Sequence, residues 1–407
     1  MNILFITLVD IKSVNQRNLY ADLIRQLSGE GHDVYVISPA ERRQNIETTL
    51  IKETVNSGKD VHILKLKTGN IQKTNIIEKG ISTLLLEHLL ARGIKKYLSD
   101  VRFDLVLYST PPVTLIKPIM FVKKRDKAQA YLMLKDIFPQ NAVDIGMMKK
   151  SGVMAVLYKH FRRKEKKLYA ISDRIGCMSQ ANVDYILQNN PQIDPAKIEI
   201  CPNAIEVLEQ TVEANVRQAV REKYAIPQDK RVFVYGGNLG RPQGIGFLIQ
   251  CLEKLQDHDD AYVLIVGDGT EFRVLKNWFE TVNPSNMQLM SKLPKEDYEH
   301  LVSGCDVGLI FLDHRFTIPN FPSRLLSYMQ AKQPVIACTD PNTDVGKVIT
   351  EGGFGWWCES NSADDFVAIV NEACKADLAP MGEKGFAYLE EHYSVEKTSQ
   401  VILKGMK

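Results

Sequence analysis

Asn320-Phe-Pro-Ser-Arg-Leu-Leu-Ser-Tyr-Met-Gln-Ala-Lys-Gln-Pro-Val-Ile-Ala337 reads as a loop, a short amphipathic helix, a turn and a buried strand. Pro322 suits the first helical φ and Ser323 suits a cap. Leu325, Leu326, Met329 and Ala331 supply an apolar side. Val335, Ile336 and Ala337 supply a strand entered through Pro334. Arg324, in the first turn, is poor company for a positive helix end unless an anion sits between them. That end therefore reads as an anion site, with a surface helix packed on a sheet as the plain alternative.

The same alternation extends over the whole chain. Strand-like runs fall at Ile3–Leu8, Val34–Ser38, Leu105–Ser109, Ala130–Leu134, Arg174–Met178 and Ile198–Cys201, with helices near 16–29, 76–99, 112–125, 154–171 and 180–189. A second series runs through Val232–Tyr235, Tyr262–Val266, Met287–Met290, Val307–Phe311 and Pro334–Cys338, with helices near 244–256, 271–281, 295–304 and 323–331. Near-continuous apolar strands between helices predict parallel sheets covered on both faces. The expected fold is α/β, with two Rossmann-like doubly wound domains at 1–205 and 206–395 and a C-terminal helix, 396–407, returning to the first. A length of 407 residues suits two cores better than one.

Charge divides along the same line. Residues 1–200 carry 31 Lys and Arg against 20 Asp and Glu, a net of +11; the remainder carries 20 against 29, or −9. Two domains with different partners are expected. The apolar start, MNILFITLVD, lacks a charged leader and reads as a first strand. No run of 18 apolar residues occurs. Seven cysteines without a CxxC pair point to free thiols, a reducing cytosol and no zinc site.

Ligands of such sheets bind beyond the carboxyl ends of the strands. Gly236-Gly-Asn-Leu-Gly-Arg-Pro-Gln-Gly244 follows a strand, and its glycines admit a phosphate or simply form a tight turn. It is not GxGxxG, the first strand has no glycine before Gly29, and no Walker A pattern occurs. A dinucleotide oxidoreductase is therefore disfavoured. Gly267-Asp268-Gly269 is the next strand end, with Asp268 suited to cap the following helix. Asp257-His-Asp-Asp260 precedes its strand and reads as a solvated loop. In the first half, Arg42 and Arg43 flank a strand end and suit a phosphate. Lys135 and Asp136 flank another, where a simple charge pair is the plain alternative.

Together these elements resemble the family 4 glycosyltransferases, retaining enzymes of GT-B architecture that use nucleotide-sugar donors. Gly237–Gly244, Val263–Gly269, Cys305–Phe311 and Phe321–Ala337 carry the likeness. NQRNLYADLIRQL, SPAERR, LKDIFPQNAVD, GGNLGRPQG and FPSRLLSYMQAKQPVIACTDPNTD extend it to bacterial capsule and O-antigen transferases, including enzymes that add N-acetyl-L-fucosamine to a lipid-linked sugar. The resemblance implies two domains facing a cleft and metal-independent transfer. The leaving diphosphate would take the acceptor proton on the same face of the sugar.

By that resemblance the catalytic residues are Asp136, Lys135 and Arg324. A donor, expected to be UDP-linked, would meet Gly237, Asn238, Gln243, Gly267, Asp268, Lys292, Leu293, Phe321, Pro322, Ser323, Leu325 and Ser327. The acceptor, a polyprenyl-diphosphate-linked saccharide, would meet Asn15, Arg17, Arg42, Arg43, Ser109 and Thr110. No cofactor, metal or nucleic acid is expected.

The chain departs from the family at the two usual glutamates, which fall at Pro319 and Ser327. It departs again at the usual diphosphate-binding cations, which fall at Asn238 and Gln243. Arg324, with Arg17 or Arg241, is left to neutralise the diphosphate. A sugar-nucleotide epimerase and a non-catalytic partner subunit are the alternative readings.

Met147–Tyr169 interleaves apolar residues with eight Lys and Arg against one Glu between 149 and 167. It is expected to lie on an anionic membrane, giving a cytoplasmic enzyme peripheral to the inner face of the cell membrane. A solvated basic face or a nucleic-acid patch is the alternative.

Overall fold

The computed structural model describes residues 1–56, 58–71, 76–209 and 214–406. The chain forms two compact units, Met1–Glu206 with Ser394–Lys407, and Val207–Tyr393.

The first unit is built on β1 (Asn2–Ile6), β2 (Asp33–Glu41), β3 (Thr49–Glu53), β4 (Val61–Thr68), β5 (Leu105–Ser109), β6 (Gln129–Leu134), β7 (Arg174–Cys177) and β8 (Ile198–Ile200). Their order is β3-β4-β2-β1-β5-β6-β7-β8, parallel throughout except for β3 on β4. Helices α1 (Leu19–Gly29), α2 (Ile76–Tyr97), α3 (Ile116–Asp126), α4 (Gln140–Asp144), α5 (Met154–Ile171) and α6 (Gln180–Asn189) connect them. β1 and β5 are central and wholly apolar on their inner positions, as a sheet with both faces covered requires. Helix α1 starts at Leu19 and not near 16 because Asn18 caps it, its Oδ1 accepting from Tyr20 N and Ala21 N. Sequence periodicity missed the β3–β4 pair. Lys65 interrupts the apolar run of β4, yet it is buried and paired with Asp10 at 2.6 Å.

The second unit has six parallel strands, β9 (Arg231–Asn238), β10 (Ala261–Asp268), β11 (Met287–Ser291), β12 (Val307–Phe311), β13 (Val335–Thr339) and β14 (Gly355–Glu359), in the order β11-β10-β9-β12-β13-β14. Its helices are α7 (Ala214–Lys223), α8 (Ile245–Lys254), α9 (Phe272–Val282), α10 (Lys295–Ser303), α11 (Arg324–Gln330), α12 (Val345–Glu351), α13 (Ala363–Lys375) and α14 (Leu378–His392). Phe233, Tyr235, Phe311 and Phe366 anchor one core layer. Strand order reverses between β9 and β12, so connections leave in opposite directions and open a crevice at their carboxyl ends.

The last helix, α15 (Val395–Leu403), packs in the first unit. Val395 and Ile402 are buried there, and the Arg174 guanidinium donates to the carbonyls of Val401, Ile402 and Lys404 at 2.7–2.9 Å. These carbonyls lie at the helix C-terminus, where acceptors outnumber intrahelical donors.

Asp306 ties α7 to the second sheet. Its carboxylate accepts from Val232 N at 2.6 Å and Arg221 Nη2 at 2.8 Å, and also pairs with Arg217. Arg221 is itself buried and donates to Gly304 O at 2.8 Å. Removing one partner of such a pair strands the other in a low-dielectric interior. Asp306→Ala is expected to lower stability by about 3–5 kcal/mol, read as a fall in the urea midpoint; an unchanged midpoint would refute this role.

Candidate functional site

In the second unit the site grows from the crevice at the strand switch. β9 ends in Gly236-Gly237-Asn238, which lie in register with Val266-Gly267-Asp268 of β10. Gly237 has φ +124°, a region open to glycine, and a Cβ there would stand 3.3 Å from Arg324 Nη2. A Cβ on Gly267 would fall 2.1 Å from Gly237 O. The two strand ends thus meet backbone to backbone. Asp313 N, just past β12, donates to Pro242 O at 2.9 Å and ties the β12 loop to the β9 loop.

Arg324 enters this crevice from the start of α11. Its guanidinium stacks 4.2 Å over the Tyr235 ring. Tyr328, one helical turn on, accepts from Gly236 N at 3.2 Å, and its hydroxyl reaches Val234 O at 3.0 Å. Tyr298 packs against Gly236 and hydrogen-bonds Tyr328. The guanidinium is therefore fixed by aromatic surface rather than by a carboxylate. Its Nη1 is buried and has no hydrogen-bond partner. A buried donor left unpaired costs about 1–3 kcal/mol, more when charged, so this atom marks a place for an acceptor.

Other polar atoms nearby are also unpaired. Asn320 Nδ2 and Asp340 Oδ2 are buried without partners. Thr343 joins the two residues, its Oγ1 donating to Asn320 O at 2.6 Å and its N to Asp340 Oδ1 at 3.2 Å. Burial pushes the Asp340 carboxyl up to about 6.

The expected donor residues lie at the strand ends and at the entry to α11, with adjustments. Asn238 Nδ2 donates to Gln243 Oε1 at 3.0 Å, so the two residues standing at the usual cation positions hold each other. Asp268 does not cap the next helix: Glu271 occupies the N-cap, and Asp268 Oδ1 accepts from Gly269 N at 2.8 Å. Ser323 sits at the N-cap of α11 but makes no side-chain cap bond, and Pro322 precedes the helix instead of opening it. Leu325 N and Leu326 N already bond Pro322 O and Ser323 O at 3.2 Å, so the helix end is less open than expected. Leu325 and Phe321 are buried packing residues, whereas Ser327 and Lys292 are exposed. Leu293 follows Lys292 beyond the end of β11. Arg241 pairs with Glu271 at 3.5 Å, so it is not a spare cation.

In the first unit the ends of β5 and β6 gather a smaller cluster. Tyr20 Oη donates to Ser109 Oγ at 2.9 Å, and Lys135 N to Thr110 Oγ1 at 3.2 Å. Asp136 makes no ion pair or hydrogen bond among the described residues, and burial pushes its carboxyl up to about 6. The alternative reading, a simple Lys135–Asp136 charge pair, does not hold, since no such pair forms. Lys135 Nζ is buried and unpaired, its charge felt instead by Cys201 and Cys177; burial lowers it to about 8. The remaining expected acceptor residues are engaged elsewhere. Asn15 donates to Glu53 at 2.9 Å, Arg42 pairs with Glu78 and Arg43 with Glu41 at 2.7 and 2.8 Å, and Arg17 also has a partner.

Sequence reasoning missed the three tyrosines around Arg324, and Tyr20. The i, i+4 spacing of Arg324 and Tyr328 was a usable signal, since it places both on one helix face.

Residues 216–384 match the family model described as Glycosyl transferases group 1. The match lies within the second unit, and the double α/β architecture is that seen in GT-B glycosyltransferases. The probable glycosyltransferase WbjE of Pseudomonas aeruginosa is 24% identical over 327 residues, 79% of this chain and 78% of that protein. The putative colanic acid biosynthesis glycosyl transferase WcaI of Escherichia coli K12 is 21% identical, over 66% of each chain. Among solved structures, sucrose-phosphate synthase of Thermosynechococcus elongatus superposes with a TM-score of 0.75 at 15% identity, covering 98% of this chain and 97% of that one. Anabaena HepE in complex with UDP gives 0.70 at 13%, covering 99% of each.

The Asp136 carboxyl has a consequence for stability. Its folded value, about 6, lies above the ordinary 3.8. The stability this contributes is full below about 3.8 and is lost as pH rises through about 6. Relative to Asp136→Asn, the native chain should lose thermal stability between pH 4 and 7. Melting curves that shift in parallel over that range would show an unperturbed carboxyl.

Proposed function

We propose that the chain is a retaining, metal-independent glycosyltransferase that passes a sugar from a UDP-linked donor to a polyprenyl-diphosphate-linked saccharide. The setting is capsule or O-antigen assembly at the inner face of the cell membrane, with N-acetyl-L-fucosamine as the proposed sugar. One observation carries the reading: a half-buried arginine whose Nη1 is buried and unpaired stands at the strand switch of a unit that matches the group 1 transferase model. The UDP seen in HepE and the colanic acid role in WcaI's name support the donor class and the setting.

In this reading Arg324 and the backbone at Gly237 receive the diphosphate, and Ser327 replaces the family's ribose-binding Glu with a neutral hydrogen bond. Lys292 and Leu293 border the base. Asn320 and Asp340 offer their unpaired atoms to sugar hydroxyls. Asp136 contacts the reacting sugar or the acceptor hydroxyl from the first unit, and Lys135, turned toward the thiols, positions that strand end. The diphosphate oxygen takes the acceptor proton as the glycosidic bond to it breaks. The protein's work is then to orient the reactants and to stabilise charge on the leaving group.

A thermal-shift panel of nucleotide sugars tests the donor, since a ligand that binds only the folded chain raises its melting point. UDP-linked sugars are expected to raise it. A panel without any shift would refute the donor reading. Conversion of donor alone to an epimer would support the epimerase instead.

Arg324→Ala should lower kcat/KM roughly ten- to a hundredfold, as loss of a charged hydrogen bond of ~1.5–3 kcal/mol requires. Arg324→Lys should recover only part, because a point ammonium neither stacks on Tyr235 nor presents a planar fork. Unchanged kinetics in Arg324→Ala would remove it from the site.

A further inference from the structure

We infer that the first half of α5 and the loop before it form a docking surface for an anionic lipid bilayer. This deepens the lipid-linked acceptor reading, although the surface itself is defined by exposure and charge alone. Val153 is 90% exposed and Val156 72%, and Met147, Met154 and Leu157 are exposed beside them. Single exposed aliphatics are ordinary on a folded surface. Five within residues 147–157 form a patch of the kind that marks a contact surface.

The charges are sorted in the same way. Between 146 and 170 the only acid is Glu165, which is buried and bonded to Arg162 at 2.5 Å and Tyr169 Oη at 2.7 Å. Arg162 further donates to Asn189 O and Asn190 Oδ1 at 2.9 and 2.7 Å, and Lys164 pairs with Glu87 at 3.1 Å. These two cations hold the fold together. Lys149, Lys150, Lys159, Arg163, Lys166 and Lys167 remain exposed, with no acidic partner among the described residues. No side chain caps α5, so the positive end of this 18-residue helix adds to the field.

Cations alone would suit any polyanion. The exposed valines, methionines and leucine choose between polyanions, because a nucleic acid offers no apolar phase to receive them. A bilayer offers phosphate to the cations and an acyl boundary to the aliphatics. Each Lys or Arg that engages an anionic leaflet raises partitioning roughly five-fold, the equivalent of about 1 kcal/mol.

The test is co-sedimentation of the full chain with vesicles of phosphatidylcholine alone or mixed with phosphatidylglycerol. Binding should require phosphatidylglycerol and weaken with added salt. Changing Lys149, Lys150, Arg163, Lys166 and Lys167 together to Gln should weaken it at least ten-fold. Val153→Ser with Val156→Ser and Leu157→Ser should weaken it several-fold while leaving the salt dependence in place. All eight side chains are exposed, so circular dichroism and melting point should match the parent. Equal binding to neutral vesicles, no binding at low salt, or binding indifferent to both variants would overturn the inference. So would salt-dependent binding to duplex DNA or RNA without vesicle binding. Neither donor nor acceptor is present, so failure here and failure of the transferase reading are separately visible.

Discussion

A guanidinium taken out of water must find acceptors or a π-face, and Arg324 finds the Tyr235 ring and hydroxyl, with no carboxylate partner among the described residues. Tyr235 lies under it, and Tyr328 and Tyr298 frame it. Much of the second unit's local geometry follows from holding that group. Gly236 leaves room for Tyr298, Gly308 leaves room for the Tyr328 ring, and Gly237 brings bare backbone beside the guanidinium. A carboxylate partner would have stabilised the cation more simply, but it would also have used the charge. Aromatic stacking keeps the charge in place and available, which an anion-binding site requires.

In both units the cations that build structure are matched to carboxylates: Arg221 and Arg217 share Asp306, Arg315 pairs with Asp313, and Lys65 in the first unit pairs with Asp10. In the first, the ends of β5 and β6 hold Asp136 and the Lys135 amine half-buried or buried without partners, and burial shifts both toward their neutral forms. Buried unpaired ionisable groups are costly, and function is a common reason for keeping them. That contrast sets the strand end of the first unit apart from its surface pairs, such as Arg42 with Glu78.

What could be read from the sequence followed from periodicity. Leu105–Ser109, Val307–Phe311, Met154–Ile171 and Gln180–Asn189 stand where their apolar patterns put them, because both faces of the strands and one face of each helix must be covered. The misses have specific causes. β4 carries the buried Lys65, whose partner Asp10 lies 55 residues away, a pairing no local window contains. β14, Gly355–Glu359, contains two tryptophans between polar ends and lacks a clear period. Within the candidate site, the strand ends and Arg324 could be singled out from the sequence because parallel sheets bind ligands there. The tyrosines could not, since an aromatic on a strand or helix face reads as core until its neighbour proves to be a cation. The contacts of Arg42, Arg43 and Asn15 were not foreseen, for the opposite reason. Their partners Glu78, Glu41 and Glu53 are invisible to a reading that treats each strand end alone.

The departures from the pattern of the family that the sequence resembles have a structural counterpart. Proline and serine stand where two glutamates are usual, and Asn238 and Gln243 bond each other where two cations are usual. Removing two negative and two positive side chains together leaves local charge nearly balanced, so the crevice need not reorganise. It does change what is left to hold an anion, because a single guanidinium with fixed orientation now carries most of the positive charge. Stacking restricts Arg324 to one plane, and a planar fork suits a diphosphate in few poses. Affinity for the phosphates should thus be traded for control of their orientation. In the transfer proposed above, where the leaving group would also accept the acceptor's proton on the reacting face, that orientation is the quantity the protein has most to gain by fixing.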